Sequence, residues 1–244
     1  MLAIVASERC YVSDLLEKLS YTKEESPNKS EVYRCTYKTH EFIILVSGYG
    51  KVNIASNLRY ICDKYNIRVI LSIGTAGALT DEASIFSAVI PNTTAQFDVD
   101  FMPNGFMEGQ IPGLDKATYK TNEDLIECLK RASNVSGISY LNDVVASSDM
   151  FVSNYNLASS IRREYNACAC DCESGVVGEY SFVNEIPYAS VKVISNLANN
   201  NGIKQYNLYD HESSSICQRI TYKFLKEFYE AYYNNNYFCS RKFF

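Results

Sequence analysis

The stretch FIILVSGYGKVNIA, residues 42–55, predicts a buried strand, a glycine turn and the start of a helix. Its first five residues are all apolar, which is typical of a strand covered on both faces. Gly48 and Gly50 permit a tight turn and a close approach of the backbone to a ligand. Apolar residues then recur at helical spacing, at Val52, Ala55, Leu58 and Ile61 or Cys62.

The same alternation of apolar strands and helical patterns continues on both sides of this stretch. Further strands are predicted at residues 2–6, 69–73, 86–90, 143–147, 167–172 and 189–195. Helices are predicted at residues 52–66, 122–133 and 215–233, the last with Ile216, Ile220, Phe224 and Phe228 on one face. This order predicts a three-layer α/β domain over residues 1–235, followed by a C-terminal tail at 236–244.

Composition and charge exclude several classes of protein. With 47% hydrophobic and 21% charged residues, the 244-residue chain has the composition of a globular protein. The net charge of -5 argues against a nucleic-acid partner, and no apolar run approaches the roughly 18 residues that span a membrane. The first ten residues lack a basic signal-peptide region, so the nine cysteines are expected to be reduced thiols of a cytoplasmic protein.

A run of cysteines, ACACDC at residues 167–172, raises the question of a metal site. On a strand, Cys168, Cys170 and Cys172 would share one face, about 6.6 Å apart. Zinc ligands are usually spaced two to four residues apart, and neither histidine of the chain is near. We interpret the cysteines as small buried side chains, with a metal site as the open alternative. The residue of greater interest is Glu173, because ligands of open α/β sheets bind at the carboxyl ends of strands.

A second glycine segment, VILSIGTAGAL at residues 69–79, predicts a strand followed by a loop. Its glycines are compatible with a structural turn or with a ligand-binding loop. The full dinucleotide pattern GxGxxG is missing, and no cofactor is predicted.

Taken together, the motifs resemble the nucleoside phosphorylase/nucleosidase superfamily, and most closely its methylthioadenosine/S-adenosylhomocysteine nucleosidase branch. The resemblance covers about residues 2–233 and lies in the order of SGYGKVNIA, SIGTAGAL, QIPG, SSDMFV, CDCESG and VKVISN. It implies an α/β/α sandwich around a mixed, partly closed sheet, a homodimer, and a small-molecule purine nucleoside as ligand.

The resemblance also implies roles for individual residues. Glu173 would bind the ribose hydroxyls, since a carboxylate accepts two hydrogen bonds from a vicinal diol. Phe151 would stack on the base, with a plain core residue as the alternative interpretation. The remaining substrate-binding residues implied are Thr75, Ala76 and Gly77 beside the ribose and base, Val152 at the base edge, Cys172 under the sugar, Ser195 in VKVISN, and Tyr206 at the 5′-substituent.

Two positions depart from the pattern of the nucleosidases. Asn196 stands where they have an Asp that protonates the purine; an amide can hydrogen-bond N7 and a 6-oxo group but is not a general acid. Tyr11 stands where they have a water-activating Glu, and tyrosine is a poor base at neutral pH. If the loop after the N-terminal strand followed a different path, Glu8 or Arg9 would take the place of Tyr11.

These observations predict a purine nucleosidase that hydrolyses a methylthioadenosine-like or 6-oxopurine nucleoside. Asn196, Glu173, Tyr11 and Glu8 are the candidate catalytic residues. A phosphate-dependent phosphorylase is disfavoured, because Tyr11 and Ser72 occupy the positions of its phosphate-binding arginines, although Arg9 and Lys51 are nearby cations. A degenerate, non-catalytic nucleoside-binding protein remains a third possibility.

Overall fold

The computed structural model describes residues 1–27 and 29–234, in which twelve strands form one mixed sheet. The strands are β1 (Leu2–Ala6), β2 (Ser20–Glu24), β3 (Glu31–Tyr37), β4 (His40–Val46), β5 (Val69–Ala78), β6 (Ala88–Val89), β7 (Thr93–Gln96), β8 (Thr118–Lys120), β9 (Tyr140–Leu141), β10 (Val144–Ser147), β11 (Ala167–Asp171) and β12 (Tyr188–Asn196). The helices are α1 (Ser13–Leu16), α2 (Lys51–Lys64), α3 (Glu123–Val135), α4 (Tyr155–Tyr165), α5 (Ser174–Val183) and α6 (Gly202–Asn234). The predicted tail at 236–244 lies outside the described residues.

Strand β5 is the branch point of the sheet. The main path runs β2-β3-β4-β1-β5-β11-β10-β7-β8, and β12 pairs with β5 and β6 away from this path. Strands β1 and β12 are parallel to β5, whereas β11 is antiparallel to it. The sheet is therefore mixed, as predicted, but the described strands branch and do not close it.

Helices cover both faces of the sheet, which gives the three predicted layers. Alternate side chains of β1 enter different cores, as strand geometry requires. Leu2 and Ile4 pack in the core that α3 and α6 cover, whereas Ala3 and Val5 pack in the core that α2 and α5 cover. None of the helices in the described ranges combines the length and apolar character needed to cross a bilayer.

Most predicted elements are present, with different bounds. The strand expected at 86–90 contains only Ala88–Val89, because Phe86 has a left-handed φ of 71° that interrupts extended backbone. The loop expected at 74–77 is instead the second half of β5, held along its length by β12. The last helix begins at Gly202 rather than at residue 215.

The buried face of α2 differs from the predicted one. Val52 is 78% exposed, and the residues that face the core are Ile54, Leu58 and Ile61. These positions form the i, i+4, i+7 stripe that packs against the sheet. Val52, at the start of the helix, lies outside this stripe and faces solvent.

Candidate active site

A cavity of about 540 Å³ lies where β5, β11 and β12 end and the turn after β4 begins α2. Every site residue predicted from the sequence lines this cavity except Glu8. Glu8 is exposed, and its Oε2 atom accepts a hydrogen bond from the Cys10 thiol at 3.3 Å. The predicted residues that line it are Tyr11, Thr75, Ala76, Gly77, Phe151, Val152, Cys172, Glu173, Ser195, Asn196 and Tyr206. Residues from distant parts of the chain thus share one pocket of the size of a small-molecule site.

A buried lysine holds Glu173 in place. The Nζ atom of Lys192 lies 2.7 Å from Oε2 of Glu173 and 3.1 Å from Oδ2 of Asp171. Burial raises the pKa of the Glu173 carboxyl, and the Lys192 ammonium opposes this shift. Burial acts against the charge of Lys192, but the two carboxylates outweigh it and raise the lysine pKa. Lys192 therefore remains protonated and fixes a carboxylate at the cavity wall.

Asp171, which also lines the cavity, anchors this arrangement. It accepts hydrogen bonds from the hydroxyl of Ser147 and from the backbone N–H of Ser174, the latter at 3.1 Å. A carboxylate at the start of a helix stabilises the N–H groups that have no partner within that helix. Asp171 thereby joins β11 to the first turn of α5, directly around Glu173.

The amide of Asn196 closes another side of the cavity. Its oxygen accepts a 2.9 Å hydrogen bond from the backbone N–H of Ala198, and its nitrogen donates to the Ser195 hydroxyl at 3.2 Å. Gly77 is required beside it, because a Cβ there would lie 2.9 Å from the Asn196 oxygen. This orientation leaves the second N–H of the Asn196 amide without a partner in these contacts.

Aromatic side chains form the more open wall. The rings of Phe151 and Tyr206 meet edge to face, with centroids 5.3 Å apart. Phe151 is 46% exposed, so it is not a plain core residue, whereas Val152 beside it is buried. Such a surface suits the apolar faces of a flat ring system.

A cluster of hydroxyl groups surrounds Tyr11. Its hydroxyl lies 3.1 Å from those of Tyr49 and Tyr206. Tyr11 donates to Oδ1 of Asp210 at 3.3 Å, and Thr75 donates to the same oxygen at 2.6 Å. Burial raises the pKa of Tyr11, and Tyr49 and Asp210 raise it further, so the phenol is neutral.

The cysteines are partly as predicted. Cys168 and Cys170 are buried, but they pack in different apolar clusters, because the pairing of β10 with β11 shifts register between Val144 and Val145. Cys172 lies beyond the end of β11 and lines the cavity. Among the described residues, no group of histidine, cysteine or acidic side chains has the arrangement of a metal site.

Arg9 and Lys51, the two cations considered above as phosphate ligands, both form ion pairs with carboxylates. Arg9 pairs with Glu31 at 3.1 Å and lies over the Tyr33 ring. Lys51 pairs with Asp98. No lysine or arginine appears among the lining residues, all of which belong to the described part of the chain.

Sequence reasoning missed four charged residues of this region: Asp149, Asp171, Lys192 and Asp210. Lys192 had a signal, since it is a lone charge in the apolar strand ASVKVIS and needs a buried partner. Asp210 lies one helical turn after Tyr206, which places both on the same face of α6. Its approach to Thr75, however, depends on how α6 packs on β5.

The sequence profile described as "Phosphorylase superfamily" matches residues 1–230. The chain belongs to this superfamily. Among curated proteins it is similar to the 5′-methylthioadenosine/S-adenosylhomocysteine nucleosidase of Buchnera aphidicola subsp. Schizaphis graminum, at 27% identity over 84% of this chain and 87% of the relative. The protein of the same description from Staphylococcus haemolyticus is 25% identical over 93% of this chain and 99% of its own.

Solved structures share the fold. The methylthioadenosine/S-adenosylhomocysteine nucleosidase of Neisseria meningitidis, in complex with methylthio-immucillin-A, superimposes with a TM-score of 0.88 at 21% identity, over 92% of this chain and 98% of its own. The futalosine hydrolase of Helicobacter pylori superimposes with a TM-score of 0.87 at 22% identity, over 93% and 97%. The predicted α/β architecture is thereby confirmed.

Proposed function

We propose that the protein is a purine nucleosidase, which hydrolyses the N-glycosidic bond of a methylthioadenosine-like or a 6-oxopurine nucleoside. The single observation that carries this proposal is the cavity, in which a lysine-held carboxylate, a buried amide and an exposed aromatic ring converge. The relatives with this description, and the neighbour that binds a methylthio nucleoside analogue, support the same substrate class.

Glu173 is proposed to accept hydrogen bonds from the two ribose hydroxyls. Its position 2.7 Å from Lys192 keeps one oxygen engaged and leaves the other for the sugar. Binding the diol orients C1′ and stabilises the positive charge that develops on the ring as the bond breaks.

The base is proposed to lie between Phe151 and Asn196. The free N–H of the Asn196 amide would donate to N7 or to a 6-oxo group, but it supplies no proton for an adenine leaving group. A 6-oxopurine leaves more readily, so the finer form of the proposal is a substrate with a 6-oxopurine base. The end of the cavity near Tyr206 would take the 5′-substituent.

Water is proposed as the nucleophile rather than phosphate. Phosphate is normally held by arginine or lysine, and no such side chain lines the cavity in the described residues. Arg9 and Lys51 are paired with carboxylates instead.

The test is to incubate purified protein with methylthioadenosine, adenosine, inosine and guanosine, each with and without inorganic phosphate, and to quantify the free base by chromatography. Base release independent of phosphate is the expected result. Release only with phosphate would establish a phosphorylase. Binding without release of any base would establish a non-catalytic nucleoside-binding protein.

A cytoplasmic homodimer completes the proposal. Large apolar side chains are exposed in the single chain, among them Met150 of the cavity wall at 44% and Tyr155 at the start of α4 at 68%, which supports burial by a second copy. Sedimentation equilibrium should give twice the 27.6 kDa mass of the chain, and a monomer across micromolar concentrations would contradict the dimer. Fractionation of the source cells would test the cytoplasmic location, which is supported by the lack of disulfide pairing among the cysteines of the described residues.

A further inference from the structure

Asp210 is a carboxylate that lies just outside the cavity wall without a cationic partner. It belongs to α6, is partly buried, and takes part in no ion pair of the described chain. Its Oδ1 atom accepts from the Thr75 hydroxyl at 2.6 Å and from the Tyr11 hydroxyl at 3.3 Å. Both donors line the cavity, so a single side-chain hydroxyl connects Asp210 to it.

Hydrolysis needs a group that accepts a proton from the attacking water, and each carboxylate that lines the cavity already has a partner. Asp149 accepts the backbone N–H of Lys51 at 3.0 Å, and Asp171 pairs with Lys192. Glu173 is bound to Lys192 and assigned to the ribose. The Tyr11 phenol is neutral, because burial raises its pKa, and it can accept a proton only while it gives up its own. A proton path through Tyr11 therefore requires a base behind it.

We propose that Asp210 is the terminal proton acceptor of the hydrolysis and that it acts through the hydroxyl of Tyr11. This inference rests on the proposed nucleosidase function. Asp210 is in this sense a positioning and relay residue, since it does not itself touch the substrate. Thr75 orients the carboxylate through the 2.6 Å hydrogen bond.

The water oxygen bonds to C1′ while one water proton passes to the Tyr11 oxygen, and the Tyr11 hydroxyl proton passes to Asp210. The C1′–N9 bond breaks, and its electron pair leaves with the purine, which takes a proton from solvent. Asp210 then returns its proton to solvent, so that Tyr11 is neutral before and after the step.

The surroundings of Asp210 determine how this step depends on pH. The groups that face it are Glu8, Cys10 and Tyr11 on the N-terminal segment, Thr75 on β5, and Tyr206 on its own helix. Burial raises the pKa of Asp210, hydrogen bonds from Thr75, Tyr11 and Tyr206 oppose the shift, and the negative charge of Glu8 adds to it. Because the acceptor must be ionised, activity should fall as the pH decreases through this pKa.

The decisive experiment compares kcat, KM and the pH profile of base release for the wild type, Asp210→Asn, Tyr11→Phe and the double variant. The matched control is Glu212→Gln, an exposed carboxylate on the same helix. Asp210→Asn should lower kcat by about 100-fold or more, with little change in KM and without the acidic limb of the profile. The double variant should lose no more than the larger single loss, because both residues belong to one path.

Asp210→Glu keeps the carboxylate and should restore part of kcat and the acidic limb, which a merely structural role would not predict. Thermal unfolding of each variant checks that it is folded. Wild-type kcat in Asp210→Asn, or additive losses in the double variant, would overturn the relay while leaving the nucleosidase proposal intact. Absence of base release from the wild type would overturn both.

Discussion

Asn196 presents an amide in a fixed orientation at the position where a nucleosidase of the resembling family would have an acid. Its carboxamide occupies a fixed orientation, with the oxygen on the Ala198 N–H and the nitrogen on the Ser195 hydroxyl. An aspartate would fit the same contact with Ala198 and would add an acidic proton when protonated. Under the proposed function, we expect the choice between the two side chains to affect the departing base rather than the fold.

Asn196→Asp should raise the release of adenine relative to hypoxanthine by about 100-fold, in the range of a general acid. The ratio of kcat/KM for adenosine and inosine measures this change. Asn207→Asp, on an exposed position of α6, is the control and should leave the ratio unaltered. An unchanged ratio in Asn196→Asp would show that this side chain does not face the base.

Lys192 is the residue with the largest expected effect on stability. Lys192→Met leaves Glu173 and Asp171 buried without their cation, which should cost about 3–5 kcal/mol of the free energy of unfolding. Urea denaturation measures this loss, and Lys204→Met on the exposed side of α6 is the control. A loss below about 1 kcal/mol would contradict a buried ion pair.

The free energy of unfolding lost in Lys192→Met should also depend on pH. Burial raises the pKa of Glu173, and Lys192 opposes that shift, so removing the lysine raises it further. A carboxyl whose folded pKa exceeds its unfolded value stabilises the protein below the unfolded pKa and loses this contribution as the pH rises. The deficit of Lys192→Met should thus be smallest near pH 4 and grow toward neutral pH, by about 1.4 kcal/mol for each unit of pKa difference.

Among the elements, α6 links the core to the site. Its second half carries Ile216, Ile220, Phe224 and Phe228 into the core, as predicted, whereas its first half brings Tyr206 and Asp210 to the cavity. The sequence pattern revealed only the second half, because the first half exposes Ile203 and Leu208 and has no apolar stripe. Polar contacts with β5 and the N-terminal segment place it instead.

Two leucines of α6 allow the same substitution at a buried and at an exposed position. Leu225→Ala removes a fully buried side chain and should lower the free energy of unfolding by about 2–5 kcal/mol. Leu208→Ala, at 68% exposure, should change it by less than about 0.5 kcal/mol. Chemical denaturation of both variants tests the packing of the helix, and equal effects would contradict it.

On the scale of the molecule, the cavity joins β5, β11, β12, α6 and the turn between β4 and α2. A ligand that contacts all of them binds only the folded chain. Methylthioadenosine at about 100 times its Kd should therefore stabilise the fold by about 2.7 kcal/mol. Thermal unfolding should show a rise in Tm of about 5–10 °C. Uridine at equal concentration is the control, and an equal shift with uridine would argue against a purine site.

The alternation of strands and helices followed from sequence alone, because apolar periodicity is a local property that each segment carries by itself. Strands 42–46 and 2–6 and the apolar face of the last helix needed no tertiary information. The polar strand β2 escaped prediction, since its side chains are largely exposed and it is held by pairing with β3. Two-residue strands such as β6 and β9 have no sequence pattern of their own.

The sequence by itself predicted that site residues follow the ends of strands, and Asn196 ends β12 whereas Glu173 lies two residues beyond β11. It also carried the prediction that the usual acid and base are replaced. Only the tertiary structure decided their charged partners. Lys192 forms ion pairs with Asp171 and Glu173. Asp210 accepts a hydrogen bond from Thr75, which is 135 residues away in the sequence. These contacts depend on the register of β12, which sets Lys192 opposite Gly74, and on the packing of α6 over β5. The physical reason is that periodicity reports burial, whereas partners distant in sequence are selected by register and packing.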